Sequence, residues 1–270
     1  MSLVSVNGIQ LNISDSGAPA GKPDAPVLVM GHGLLFSTEM WRHQIAVLSS
    51  SYRCVAVDWR GQGGTPAVGP ADMDSLYDDL VSLIEHLGVG PVHYAGLSMG
   101  GFVGQRLAAR RPDLVRSLIL IDTSSGPEDP DKVSKYRLLA TVYGLLGMKP
   151  LLGQVAPIMF TPHYIATSAG QATVKTWVDE LAPLQRKGIK KAIRGVTDRL
   201  PIDEEIGKIS APTLVIVGSD DVATPVAKAE VIVAGIPGAR LEILSGVGHV
   251  STLEDPARVN ALMTEFLAAH

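Results

Sequence analysis

Three short stretches of the 270-residue chain carry residue types that can do chemistry together. Gly96-Leu97-Ser98-Met99-Gly100 follows the apolar run Val92 to Ala95 and precedes a helix-like segment, Met99 to Arg110. G-x-S-x-G between a strand and a helix is a nucleophile elbow: a sharp turn lifts the serine hydroxyl clear of a sheet, and its neighbours must lack a Cβ. Gly96 and Gly100 meet that need, and a helix beginning at Met99 aims its first N–H groups at charge developing beside Ser98.

A serine hydroxyl attacks well only when a histidine takes its proton and an acid fixes that histidine. Of seven histidines, His249 stands in Gly246-Val247-Gly248-His249-Val250, just past the apolar run ending at Leu244, which places it on a loop at a strand's carboxyl end. His43, His86, His93 and His163 lie in helix, strand or cap contexts, and His270 is terminal. The acid is Asp220 or Asp221, directly after the run Leu214 to Val217, with the other capping the turn or the following helix. An oxyanion needs backbone donors, and the Gly-flanked loop Gly31-His32-Gly33-Leu34-Leu35 assigns them to the amides of Leu34 and Met99. His32 is read as a brace for that loop.

These groups need a sheet whose strands end on one edge. Leu3 to Val6 and Ile9 to Ile13 flank Asn7-Gly8, a hairpin signal. Further runs of strand length lie at Val27 to Met30, Cys54 to Val57, Val92 to Ala95, Leu118 to Ile121, Leu214 to Val217 and Leu241 to Leu244. Apolar on both faces, such runs fit a parallel sheet covered by helices on each side. Helical patterns fall between them, at Glu39 to Leu48, Met73 to Leu87, Met99 to Arg110, Pro225 to Ala234 and Pro256 to Ala268. The alternation fails over 124–210, read as an inserted helical subdomain in which Leu138, Leu139, Val142, Leu145 and Leu146 form one apolar stripe. Its basic run, Arg186, Lys187, Lys190, Lys191 and Arg194, is read as a solvated helix face.

Composition narrows the partners. Twenty-three basic and 27 acidic side chains give a net charge of −4, which offers no general attraction for nucleic acid or an anionic membrane. Cys54 alone excludes an intramolecular disulfide and a cysteine metal cluster. With no signal-peptide pattern and no apolar stretch of membrane-spanning length, a cytoplasmic location is expected. The sequence sets no oligomeric state.

Gly31-His32-Gly33, Asp58-Trp59-Arg60-Gly61-Gln62-Gly63, Gly96 to Gly101, Gly218 to Pro225 and Gly248-His249 together resemble the α/β-hydrolase fold, in the chain order Ser, Asp, His. The resemblance implies a mostly parallel eight-stranded sheet with helices on both faces, a core of 1–123 and 211–270, and a helical cap of 124–210. The family's acid stands three residues after the glycine and four before the proline, which selects Asp221. Met40-Trp41, Phe160-Thr161-Pro162 and Glu254-Asp255 after His249 are similar to 3-oxoadipate enol-lactonase-like esterases and lactonases, and to some acyl-homoserine lactonases. A serine at the elbow speaks against dehalogenase or epoxide hydrolase chemistry. The loop after Gly31 lacks the Ser-Gly-Pro-Gly type sequence of carbon–carbon bond hydrolases and the aromatic residue of haloperoxidases. The resemblance thus implies an esterase or lactonase without metal or cofactor, acting on a small-molecule ester or lactone. Apolar residues Met148, Leu151, Leu152, Met159 and Phe160 suggest either a greasy pocket or a seam that fastens the cap to the core, and the expected pocket lining includes Leu35, Met159, Phe160 and Val250. A carbon–carbon bond hydrolase on the same triad and a slow-turnover ligand receptor are the alternatives.

Overall fold

The computed structural model describes residues 2–270. Eight strands, β1 (Ser2–Val6), β2 (Ile9–Asp15), β3 (Val27–Gly31), β4 (Arg53–Val57), β5 (Val92–Leu97), β6 (Val115–Ile121), β7 (Thr213–Gly218) and β8 (Arg240–Leu244), form one sheet in the order β1-β2-β4-β3-β5-β6-β7-β8. β2 runs against both of its neighbours, and every other pairing is parallel. Asn7 at φ 46° and Gly8 at φ 72° make the tight hairpin turn that this dipeptide predicts.

Eleven helices accompany the sheet among the described residues: α1 (Arg42–Leu48), α2 (Met73–Leu87), α3 (Met99–Arg110), α4 (Pro130–Leu146), α5 (Leu152–Met159), α6 (Pro162–Ile165), α7 (Ser168–Leu181), α8 (Arg186–Thr197), α9 (Val226–Gly235), α10 (Ser251–Glu254) and α11 (Pro256–Ala268). The helical segment expected from Glu39 opens as a single 3-10 turn, Thr38–Trp41, before α1 begins.

Alternation along the strands explains why both faces are covered. Leu28, Met30, Cys54, Ala56, Ala95, Leu97, Ile119 and Ile121 point to one face, where Trp41, Leu48, Val259, Met263 and Phe266 from the α1 and α11 side meet them. Val27, Val29, Val55, Val57, Tyr94, Leu118 and Leu120 point to the other, against Leu76, Leu80 and Leu83 of α2, Val103 and Leu107 of α3, and Ile232 of α9. Each such fully buried aliphatic side chain contributes about 1.5–3 kcal/mol of hydrophobic stabilisation. β8, at the sheet edge, departs from the pattern: Ile243 is half exposed, because only one side of that strand has a neighbour.

The chain between β6 and β7 holds helices α4 to α8 and no strand. Within it one expected stripe is corrected. Leu138, Leu145 and Leu146 of α4 are exposed, and Ala140 and Tyr143 are the buried residues. The helix packs on α8, and Tyr136, Leu139 and Tyr143 face the cavity over Ser98, roughly opposite Leu138 and Leu145. Apolar residues occupy more than one face of α4, so their spacing alone does not identify the buried side. In α8 the split is clean: Ile189, Ala192 and Ile193 are buried, and its cations face outward, where Arg186 donates to Leu145 O and Lys191 to Gly69 O. No helix among the described residues is long and apolar enough to cross a membrane.

Candidate active site

β5 ends at Leu97 and α3 begins at Met99, so the chain reverses within Ser98, which adopts φ 51° and ψ −110°. A serine holds this left-handed backbone only against a cost of order 1–3 kcal/mol, and the surroundings over-determine it. The Ser98 amide donates to Ile121 O at 2.9 Å, and Ser98 O accepts Phe102 N at 3.0 Å and Thr123 Oγ1 at 2.8 Å. Close packing explains the glycines: a Cβ on Gly96 would collide with the Gly100 backbone, and one on Gly100 with the Gly31 carbonyl.

Ser98, Asp221 and His249 are brought together by the ends of three strands. His249 Nε2 lies 3.0 Å from Ser98 Oγ, and its Nδ1 lies 2.9 Å from Asp221 Oδ2. A carboxylate only accepts, so Nδ1 carries the proton and Nε2 presents a lone pair to the serine hydroxyl. Asp221 is fixed in turn: Oδ1 accepts the amides of Ala223 and Thr224 at 2.8 and 2.9 Å, and Oδ2 the Thr224 hydroxyl at 2.8 Å. Asp220 is exposed, and its carboxylate accepts the Ser219 hydroxyl at 2.7 Å.

All three side chains are buried. Burial works against an imidazolium at His249, but the charge and hydrogen bond of Asp221, with Asp122 and Glu128 behind it, outweigh that and hold the histidine above its ordinary range. Burial likewise opposes ionisation of Asp221, yet the facing His249 and the Thr224 donors keep it below the usual carboxylate range.

Asp122, at the end of β6, was not singled out by the sequence, although an acid following an apolar strand run was the available signal. Its Oδ1 accepts Gly218 N at 2.9 Å, and its Oδ2 accepts Ser251 N at 3.2 Å and Ser251 Oγ at 2.6 Å, which joins β6, β7 and the turn after His249. Complete burial and the neighbouring Asp221 charge push its carboxyl up to about 7.

The Leu34 and Met99 amides find no protein acceptor among the described residues. Their loop is braced from beneath. His32 Nε2 accepts Trp59 N at 3.1 Å, its Nδ1 donates to Gly33 O at 2.7 Å, and Trp59 Nε1 donates to His32 O at 2.8 Å. Burial pushes His32 below the ordinary histidine range, consistent with a neutral brace. Asp58 accepts Thr38 N and Gly64 N, both at 2.7 Å, and so joins the loops after β3 and β4. A second group the sequence did not single out for the site, buried Gln62, accepts Leu35 N through Oε1. Of the remaining histidines, His93 is buried against Ser117 Oγ at 2.7 Å, with burial lowering it to about 4.

Above Ser98 and His249 opens a cavity between the sheet edge and the helices that follow β6. Leu35 and Met159 line it, as do Met148 and Leu151. Phe160 and Val250 do not: Phe160 packs behind the wall against Phe36, Tyr164 and Trp177, and Val250 is buried with its amide on Met159 O at 3.0 Å. Leu152 is likewise absent from the lining and packs on the core. Such an arrangement can remove a proton from Ser98 at Nε2, stabilise the resulting imidazolium with Asp221, and offer amide donors to an oxyanion.

Known proteins are similar to this chain in sequence and fold. The chain is 29% identical over 244 residues to 3-oxoadipate enol-lactonase 2 of Acinetobacter baylyi, covering 90% of this chain and 89% of that one. It superposes with a TM-score of 0.90 on an enol-lactonase from Burkholderia xenovorans, 28% identical over 98% of this chain and 99% of the other. A thermophilic esterase from Thermogutta terrifontis also gives 0.90, at 26% identity over 100% and 99% of the two chains. Residues 27–262 match the alpha/beta hydrolase family, and with the elbow, the sheet order and the Ser, Asp, His order in place the chain belongs to that family.

Proposed function

We propose that the protein is a serine hydrolase of carboxylic esters and lactones that works through an acyl-enzyme on Ser98. The observation that carries this reading is His249, which spans Ser98 Oγ at 3.0 Å and Asp221 Oδ2 at 2.9 Å in one buried line. Ser98 Oγ attacks the acyl carbon as its proton passes to His249 Nε2. The carbonyl oxygen, now an oxyanion, is held by the Leu34 and Met99 amides. On collapse the bond to the alkoxy oxygen breaks and that oxygen takes the proton from His249, leaving the acyl group on Ser98. Water, deprotonated by His249, then attacks the acyl carbon, and Ser98 Oγ departs with the proton. For a lactone the two products stay joined as one hydroxy acid. The helices of 124–210 serve as a cap that supplies most of the pocket wall.

Kinship with enol-lactonases and esterases supports the same chemistry. The test is steady-state hydrolysis of p-nitrophenyl esters of increasing chain length beside simple and acylated γ-lactones. Ser98→Ala is expected to lower kcat at least about 10³-fold on every substrate that turns over. A folded Ser98→Ala protein with full turnover would contradict the reading.

A further inference from the structure

The cavity over Ser98 is chemically one-sided. Leu139, Met148, Leu151, Val155 and Ile158 form its far wall, and its lining contains no lysine or arginine. The one carboxylate among the lining residues is Glu128. Its carboxylate is anchored on the protein side, with Oε2 on Arg199 Nη1 at 2.8 Å and Oε1 on the Asp129 amide at 3.1 Å.

The nearest cation is itself engaged. Arg199 stands behind the wall, its Cζ 4.3 Å from the centre of the Phe102 ring. It donates to Gly126 O at 3.1 Å, Val196 O at 2.9 Å and Ser124 Oγ at 3.3 Å as well as to Glu128. Its side chain is almost wholly buried, with only 3% exposure. An anion in the cavity would therefore shed its water, meet no lysine or arginine and share the space with the Glu128 carboxylate. An apolar chain would meet mostly hydrocarbon.

On the reading that Ser98 is the nucleophile, we propose that this site is selective for uncharged, apolar acyl groups and rejects substrates whose acyl chain carries a carboxylate, with Glu128, held by Arg199, as the residue that enforces the exclusion. This names a substrate class within the broader ester and lactone reading. Glu128 faces the same space as the Tyr136 ring, and its charge adds to that of Asp221 at both Tyr136 and His249. The electrostatic bias thus extends from the cavity wall to the reacting atoms.

The experiment compares two esters of equal length on the intact protein: p-nitrophenyl hexanoate and the mono-p-nitrophenyl ester of adipic acid, each rate divided by its uncatalysed hydrolysis. The hexanoate is expected to lead in kcat/KM by at least about a hundredfold, the scale set by an unpaired polar group in a desolvated pocket. In Glu128→Gln, which keeps the shape, that ratio is expected to narrow at least about tenfold, mainly by a gain on the adipate. The wild-type ratio decides the matter even where the variant fails to fold. A ratio near one or below it, with both activities lost in Ser98→Ala, would overturn the charge selection and leave the nucleophile in place. Turnover of neither ester, with Ser98 inert to a fluorophosphonate, would remove the nucleophile and the selection with it.

Discussion

Gln62 Oε1 accepts the backbone N–H of Leu35 at 2.8 Å, and this bond links the loop after β4 to the loop after β3. Leu35 sits at φ 70°, a left-handed conformation that costs a leucine about 1–2 kcal/mol. The bond therefore holds a strained residue next to Leu34, whose amide faces the developing oxyanion on the proposed mechanism. The other end of the same side chain, Nε2, lies 3.8 Å from Met99 Sδ. One buried amide thus contacts the neighbourhood of both oxyanion donors.

Gln62→Leu removes the acceptor while retaining bulk. Because the loss loosens the loop that presents the Leu34 amide to the oxyanion, kcat is expected to drop about tenfold or more with KM nearly unchanged. Steady-state kinetics on a short-chain p-nitrophenyl ester separate the two constants. A rise in KM with kcat intact would assign Gln62 to substrate binding instead.

His249 must be neutral to accept the serine proton, and Asp221 raises its affinity for protons. The acidic limb of kcat/KM is therefore expected above the ordinary histidine range, with activity rising as pH increases through it. Asp221→Asn withdraws the charge that raises the pKa, so the limb moves to lower pH. The plateau falls as well, by about 10³–10⁴-fold, because the histidine tautomer is no longer fixed. A pH–rate profile of the two proteins measures both effects, and an unmoved limb would uncouple Asp221 from His249.

Gly100→Ala puts a methyl group against the Gly31 carbonyl, where backbone meets backbone and neither side can give way cheaply. A destabilisation of about 3 kcal/mol or more is expected, at the upper end of overpacking effects. Urea denaturation followed by circular dichroism reads it directly. Gly153→Ala, where the added Cβ meets nothing, serves as the neutral control.

Glu254 fastens the inserted helices to the core beside His249. Its Oε2 accepts Thr161 N at 3.1 Å, and its Oε1 accepts the Thr161 hydroxyl. Glu254→Ala is expected to cost about 1.5–3 kcal/mol for the lost charge-assisted bonds. Hydrogen exchange should accelerate around Phe160 and Thr161, and KM should rise because the pocket wall is less fixed. Unchanged exchange in that segment would show that the tie is dispensable.

The strands and the elbow were legible because they are local. An apolar run, a turn and a glycine where no Cβ fits leave their mark within a few residues, as Val92 to Gly101 illustrates. What the sequence could not settle depends on chain distant in sequence. Asp220 and Asp221 read alike by position after β7, so that only the family spacing selected Asp221, and the folded chain turns Asp221 to His249 and Asp220 to water. Leu138 and Phe160 are equally apolar on paper, yet one is exposed and the other lies behind the cavity wall, since their neighbours come from other helices. Gln62 and Asp122 act through partners 27 and 129 residues away, and no spacing encodes such pairs.

The most direct test of Ser98 as a nucleophile activated by His249 is the mass of the intact protein after exposure to a fluorophosphonate, with the modified peptide mapped. One adduct is expected, on Ser98, forming at least about 10²-fold more slowly in His249→Ala and absent in Ser98→Ala. An adduct on another residue, or none on a folded protein that hydrolyses esters, would contradict the acyl-enzyme mechanism.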